Sequence, residues 1–126
     1  MKALQIVESA YRGTIEEQDD TIIWLSHAMK GAGADLTVAL RGNAVNYAVK
    51  GQSAAGLAFG EWQQTQAPDI EHDLTSLMGK GVKIYVMEAD LASRGISRDK
   101  VVDGVDLLSF DDFVDLIEES DRIWHW

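Results

Sequence analysis

Apolar residues fall into five short runs along the 126-residue chain, and polar or glycine-rich segments separate them. Ala3–Val7, Leu36–Leu40, Val82–Val86 and Val105–Leu108 have the length and near-continuous apolarity of strands buried on both faces. Arg122–Trp126 reads as a fifth strand, with Ile123 and two tryptophans alternating around His125. Between these runs the period changes to that of a helix. Ile22, Leu25, Ala28 and Met29 recur at helical spacing with Trp24 beside them. The acids of Glu16–Asp20 complement the positive end of that helix, and Gly31–Gly33 ends it.

The remaining helices carry their own punctuation. Arg41–Asn43 is a turn, followed by a short helix over Ala44–Val49. Gly51–Ala67 is rich in glycine, alanine and glutamine, lacks a firm period and reads as a loop. Pro68 opens a helix over Asp69–Met78, and Ala89–Ser93 forms a short helix that Gly95 caps. Val101 and Val102 read as a further helical turn. Ser109 is a good N-cap, with Asp112 three residues on, for a helix whose buried stripe is Phe110, Phe113, Val114 and Ile117.

Strands that alternate with helices predict an α/β fold, a mostly parallel five-stranded sheet between helical layers. The whole of 1–126 reads as one domain. In such sheets the functional crevice lies beyond the carboxyl ends of the strands. That rule selects Ser9–Thr14, Arg41–Asn43, Met87–Asp90 and Ser109–Asp111. From these loops Tyr11, Gly13, Asn43, Met87 and Glu88 are the candidate crevice residues.

Composition narrows the chemistry. The chain has no cysteine, which excludes disulfides, thiolate metal sites and cysteine nucleophiles together. His27, His72 and His125 lack metal-ligand spacing, so no metal and no cofactor is expected. Gly13-Thr14 could offer backbone N–H groups to an anion, but Glu8, Glu16 and Glu17 oppose one. Glu88 and Asp90 could serve as acid and base, or simply as first-turn acids of a helix. The formal charge is −10 with Lys and Arg scattered singly, which argues against nucleic acid. From Asp99 to Trp126 there are nine acids against Lys100 and Arg122, either a solvated face or a surface for a basic partner. No apolar stretch approaches the roughly 20 residues of a membrane helix, so a cytoplasmic protein is expected. Trp124 and Trp126 are candidates for core closure or for an oligomer contact, and Phe59 with Trp62 for a lid, a partner contact or a folded-back loop.

Four segments in order resemble the DsrE/DsrF/TusD-like sulfur-relay family. They are Leu4–Val7 with Ser9–Thr14, then Arg41–Ala48, then Gly81–Ile96 with its Arg94-Gly95 pair, and finally Ser120–Trp126. The resemblance implies an α/β/α sandwich of the DsrE/F-like type. It also implies assembly with itself or related chains, as trimers or hexamers, and a cysteine-bearing relay protein as a partner. At the family's cysteine position stands Met87, whose thioether has no ionisable proton and cannot carry a persulfide. The residues therefore leave three readings: a non-catalytic structural or regulatory subunit, a small-ligand-binding protein using the crevice, or an enzyme using Glu88 and Asp90.

Overall fold

The structure, a computed structural model, describes residues 1–11, 21–53 and 55–126. In chain order its elements are β1 (Lys2–Val7), α1 (Thr21–Gly31), β2 (Asp35–Leu40), a 3-10 turn (Gly42–Ala48), β3 (Ala58–Phe59) and β4 (Trp62–Gln63). They continue with α2 (Ile70–Gly79), β5 (Lys83–Met87), α3 (Glu88–Ser93), a second 3-10 turn (Arg98–Lys100), β6 (Asp106–Leu108), α4 (Phe110–Glu118) and β7 (Arg122–His125). The five expected strands form one sheet in the order β6-β5-β2-β1-β7. Every pairing in it is parallel, with Leu4 opposite Thr37 and Ile123, and Val86 opposite Leu40 and Leu107.

Alternation along the strands splits the core between the two faces of the sheet. Val7, Val38, Leu40, Ile84 and Val86 pack with Ile22 and Ile23 of α1, Leu74 and Leu77 of α2, and Leu91 of α3. On the opposite face Leu4, Ile6, Ala39, Met87 and Leu108 pack with Phe113 of α4, and Leu116 and Ile117 flank them. Among the described residues, α1, α2 and α3 therefore share one face and α4 serves the other. The chain crosses the sheet once, between β6 and β7, to bring β7 beside β1.

Local chemistry explains the helix ends. The Asp69 carboxylate accepts from the His72 N–H at 3.0 Å, and Ser109 Oγ accepts from the Asp112 N–H at 3.1 Å. Both caps satisfy a donor that a first helical turn leaves free. Gly33 ends α1 with φ 93, a backbone angle that other residues rarely adopt.

Several local expectations are corrected. In α1 the buried positions are Ile22, Ile23 and Ser26, while Ala28 is exposed and Leu25 only half-buried. In α4, Phe110 is 67% exposed and Val114 40%. The packed stripe of α4 is Phe113, Leu116 and Ile117, because the helix crosses the sheet on that line. Val101 and Val102 follow the second 3-10 turn rather than form a helix. Val101 bridges Val49, and the Val102 N–H donates to Ala48 O at 2.7 Å. Inside Gly51–Ala67 lies a two-stranded hairpin, β3 with β4. The acids at Glu16–Asp20 lie outside the described residues. Among the described residues no helix is long and apolar enough to cross a membrane.

Gln5 on interior strand β1 and Ser26 on α1 are the polar exceptions among the buried described residues, each with 0% exposure. The Gln5 amide Nε2 donates to Ser26 Oγ at 3.1 Å and lies 3.3 Å from Met29 Sδ, while Gln5 Oε1 accepts from the Trp126 indole N–H. Replacing Gln5 with Leu orphans that indole donor. The expected cost is about 1–3 kcal/mol in urea unfolding. Gln5→Leu combined with Trp126→Phe should then cost less than the sum of the single changes, since the second removes the orphan. Strict additivity would show that the hydrogen bond carries no stability.

Candidate functional site

The site follows from the direction in which the chain leaves the sheet. After β5 it turns into α3, whose Leu91 joins the three-helix face; after β6 it turns into α4 on the other face. Neighbouring strands whose chains depart to opposite faces open a crevice between their carboxyl ends. Here those ends are Met87 and Leu108, which are paired in register.

Met87 is 4% exposed. It is the last residue of β5 and the cap of α3, and its side chain lies in the cluster of Leu4, Ile6, Ala39, Leu108 and Phe113. Glu88 follows it in the first turn of α3 and is exposed. Asp90 is already engaged. Its Oδ2 accepts from the Gly42 N–H at 2.8 Å, and its Oδ1 stands 4.0 Å from Arg94. Gly42 has φ 55, so the turn after β2 presents its N–H to α3 through a backbone shape that suits glycine. Asn43 Oδ1 accepts from Arg94 Nη2 at 2.9 Å. Asn43, Asp90 and Arg94 are thus one network that fastens the β2 loop to α3.

Tyr11 is drawn elsewhere. Its φ is 58, the only positive value among described residues other than glycine. Its N–H donates to the Tyr47 hydroxyl, its ring meets the Tyr47 ring edge-on at 5.2 Å, and its own hydroxyl donates to Gln52 Oε1. Gly13 lies outside the described residues. Trp126 packs against the three-helix side of the core, with its indole on Gln5. Trp124 stays 39% exposed on edge strand β7. The structure therefore groups Asn43 with the α3 network, buries Met87 beneath α4 and leaves Tyr11 on the 3-10 turn.

A further cluster stands at the carboxyl ends of β7, β1 and β2. Glu8 Oε1 meets Arg41 Nε at 2.8 Å, and Glu8 Oε2 meets His125 Nε2 at 2.9 Å. The Arg41 guanidinium lies 5.4 Å from the Phe113 ring centroid, a cation–π distance. Each of the three is the polar residue at or just past the end of its strand, and only the sheet order makes them neighbours. The pairs are partly exposed and each contributes about 0–1 kcal/mol. Their clearer effect is positional: Glu8 orients Arg41, whose two Nη groups make no hydrogen bond among the described residues. Such a fork suits a carboxylate or another oxyanion. Among the described residues no three His, Cys, Asp or Glu side chains gather as metal ligands.

Comparison with known proteins bears on the family and the fold. Residues 60–123, half of the chain, match the sequence profile of a family described as DsrH like protein. No curated protein matches the sequence. Among solved structures, the ychN protein from E. coli superposes with a TM-score of 0.69 at 21% identity over 100% of both chains. A protein of unknown function from Methanobacterium thermoautotrophicum, MTH1491, superposes with a TM-score of 0.68 at 15% identity, over 99% of this chain and 98% of that one. At these identities the two structures establish a shared fold.

The Tyr11 contacts make a pH prediction. Burial raises the Tyr11 pKa above its ordinary value of 10.0. The folded state thus favours the protonated phenol, and stability present below pH 10 falls as the phenol ionises. An ultraviolet phenolate titration of the parent minus that of Tyr11→Phe isolates this group, and its midpoint should lie above the ordinary tyrosine value. A midpoint at or below that value would mean a solvated ring without the Tyr47 and Gln52 contacts.

Proposed function

This chain belongs to the DsrH-like family of sulfur-relay proteins, and on that premise we propose that it is a non-catalytic subunit of an oligomer. In this reading 1–126 acts as one cytoplasmic DsrE/F-like domain that assembles with its own copies or with related chains, beside a relay protein that carries the cysteine. The observation that carries it is Met87. The position that the DsrE/DsrF/TusD-like resemblance assigns to the sulfur-carrying cysteine holds a buried thioether packed with Phe113 and its neighbours, and the sequence contains no cysteine. A thioether neither forms a thiolate nor accepts a persulfide.

Packing is the role assigned to Met87, and two substitutions test it. Met87→Leu conserves volume, so stability and assembly should change by less than about 1.5 kcal/mol. Met87→Cys should react with a thiol reagent far more slowly in the folded protein than in urea, because burial shields the sulfur and disfavours the thiolate. Rapid modification of the folded variant would mean that the crevice exposes this position and that the packing role is wrong.

A small-ligand role for the crevice draws on the Arg41 fork, which Glu8 and Phe113 hold with both Nη groups unengaged. Native mass spectrometry of the protein isolated from its own cells separates the readings. A complex with a cysteine-bearing relative supports the subunit reading, and extra bound mass lost in Arg41→Ala supports the ligand reading. Because Trp126 is held within the fold and Trp124 is exposed, Trp124→Ala is the substitution expected to shift an assembly toward smaller species. A monomer both before and after that change would reject the oligomer.

A further inference from the structure

Helix α4 leaves a groove along one flank. Tyr85, Leu107, Leu108 and Leu116 form its apolar floor where α4 meets β5 and β6. Asp112, Asp115 and Glu119, one helical turn apart in sequence, form its wall. The groove encloses about 310 Å³. A second cavity of about 240 Å³ continues it toward the amino ends of the strands and shares Tyr85, Leu116 and Glu119. There Lys2 and Lys83 stand beside Asp35, so the negative charge belongs to the α4 end.

Two features set this wall apart from an ordinary solvated helix face. None of its three carboxylates has an ion pair among the described residues, although elsewhere Glu8, Asp90 and Asp103 each find a cation. The acids also do not stand over water alone: they border half-buried leucines and a tyrosine ring. A side chain that satisfies both surfaces has an apolar stem and a cationic head, which describes lysine and arginine.

We propose that this groove docks a basic, amphipathic segment of a partner protein, with aliphatic stems on Leu107, Leu116 and Tyr85 and cationic heads on Asp112, Asp115 and Glu119. Charge complementarity selects the occupant. The surplus of nine acids over two bases from Asp99 to Trp126 steers a basic segment toward this end of the molecule and repels a second copy of this chain. The wall spans about 10 Å along the helix axis, the reach of three or four extended residues. The inference goes beyond the subunit reading, since the groove does not involve Met87 or Trp124 and would serve a ligand-binding protein equally.

The probe is a synthetic peptide of alternating lysine and leucine, about eight residues long to overrun the wall at both ends. It is titrated into the isotope-labelled full chain while backbone amide shifts are followed. Shifts should concentrate at Leu107, Leu108 and Leu116, and a glutamate-for-lysine peptide should leave them in place. Asp112→Asn with Asp115→Asn and Glu119→Gln should weaken binding about tenfold or more, as loss of close charge pairs does. A matched triple, Glu61→Gln with Asp111→Asn and Glu118→Gln, removes the same net charge from exposed sites outside the groove and should weaken it less than about threefold, leaving only long-range attraction. Asp115→Lys alone should abolish binding, and the amide spectrum reports directly whether each variant is folded. Equal losses in the two triples would reduce the effect to general attraction and overturn the proposal. Shifts centred away from the groove, or self-association of the chain that Leu116→Arg disperses, would overturn it as well.

Discussion

The fold depends on one buried amide. Gln5 sits at the middle of β1, the strand that both β2 and β7 need as a partner, and no part of it reaches solvent. A buried amide is costly unless its donors and acceptor are used. Gln5 uses them to join α1 through Ser26 and the end of the chain through Trp126. Backbone bonds reinforce the same closure, from Trp126 N–H to Ile6 O at 2.9 Å and from Glu8 N–H to Trp126 O at 2.8 Å. At the other end of the strand the Lys2 N–H donates to the Asp121 carboxylate at 2.8 Å, and the Asp121 N–H donates to Lys2 O at 2.9 Å. The last strand, which must return past the rest of the sheet to find β1, is therefore specified by a polar lock as well as by apolar burial.

That lock determines what stands at the carboxyl ends. With β7 fixed beside β1, His125 reaches Glu8, Glu8 turns Arg41, and Arg41 lies over Phe113. Phe113 in turn belongs to the cluster that closes over Met87. A thiol at this point would need solvent, a low pKa and an approach path to act as a sulfur carrier. Met87 has an apolar setting instead, and the neighbouring Asp90 is occupied with the β2 loop. The chemistry at the crevice and the packing beneath it thus agree: both suit a side chain that fills space.

Much of this was legible in the sequence because strands buried on both faces are apolar runs, and all five runs became strands of the sheet. The start of α4 was legible from the Ser109 cap, whereas α2 starts behind the Asp69 cap, one residue after the position that Pro68 suggested. What the sequence could not show was which residues become neighbours through strand order. Glu8, Arg41 and His125 are separated by most of the chain, and no spacing rule joins them. The faces of α4 failed for a related reason. Phe110, Phe113, Val114 and Ile117 share one helical stripe, but the crossing line on the sheet buries Phe113 and leaves Phe110 and Val114 in solvent. Val101 likewise looked helical by composition and instead met Val49, a partner chosen by the fold.

The narrowness of α4 connects these observations. Five strands span about 19 Å from first to last, whereas one helix covers about 10 Å. Among the described residues three helices cover one face and α4 covers the other. Among the described residues both flanks of α4 stay open, and the sequence treats them differently. Toward β6 it places Asp112, Asp115 and Glu119 over a leucine floor; toward β7 it exposes Phe110 and Val114, with Ile123 on the edge strand. A chain whose crevice holds a filled, thiol-free position still has two chemically distinct surfaces on this one face, one amphipathic and acidic, the other apolar.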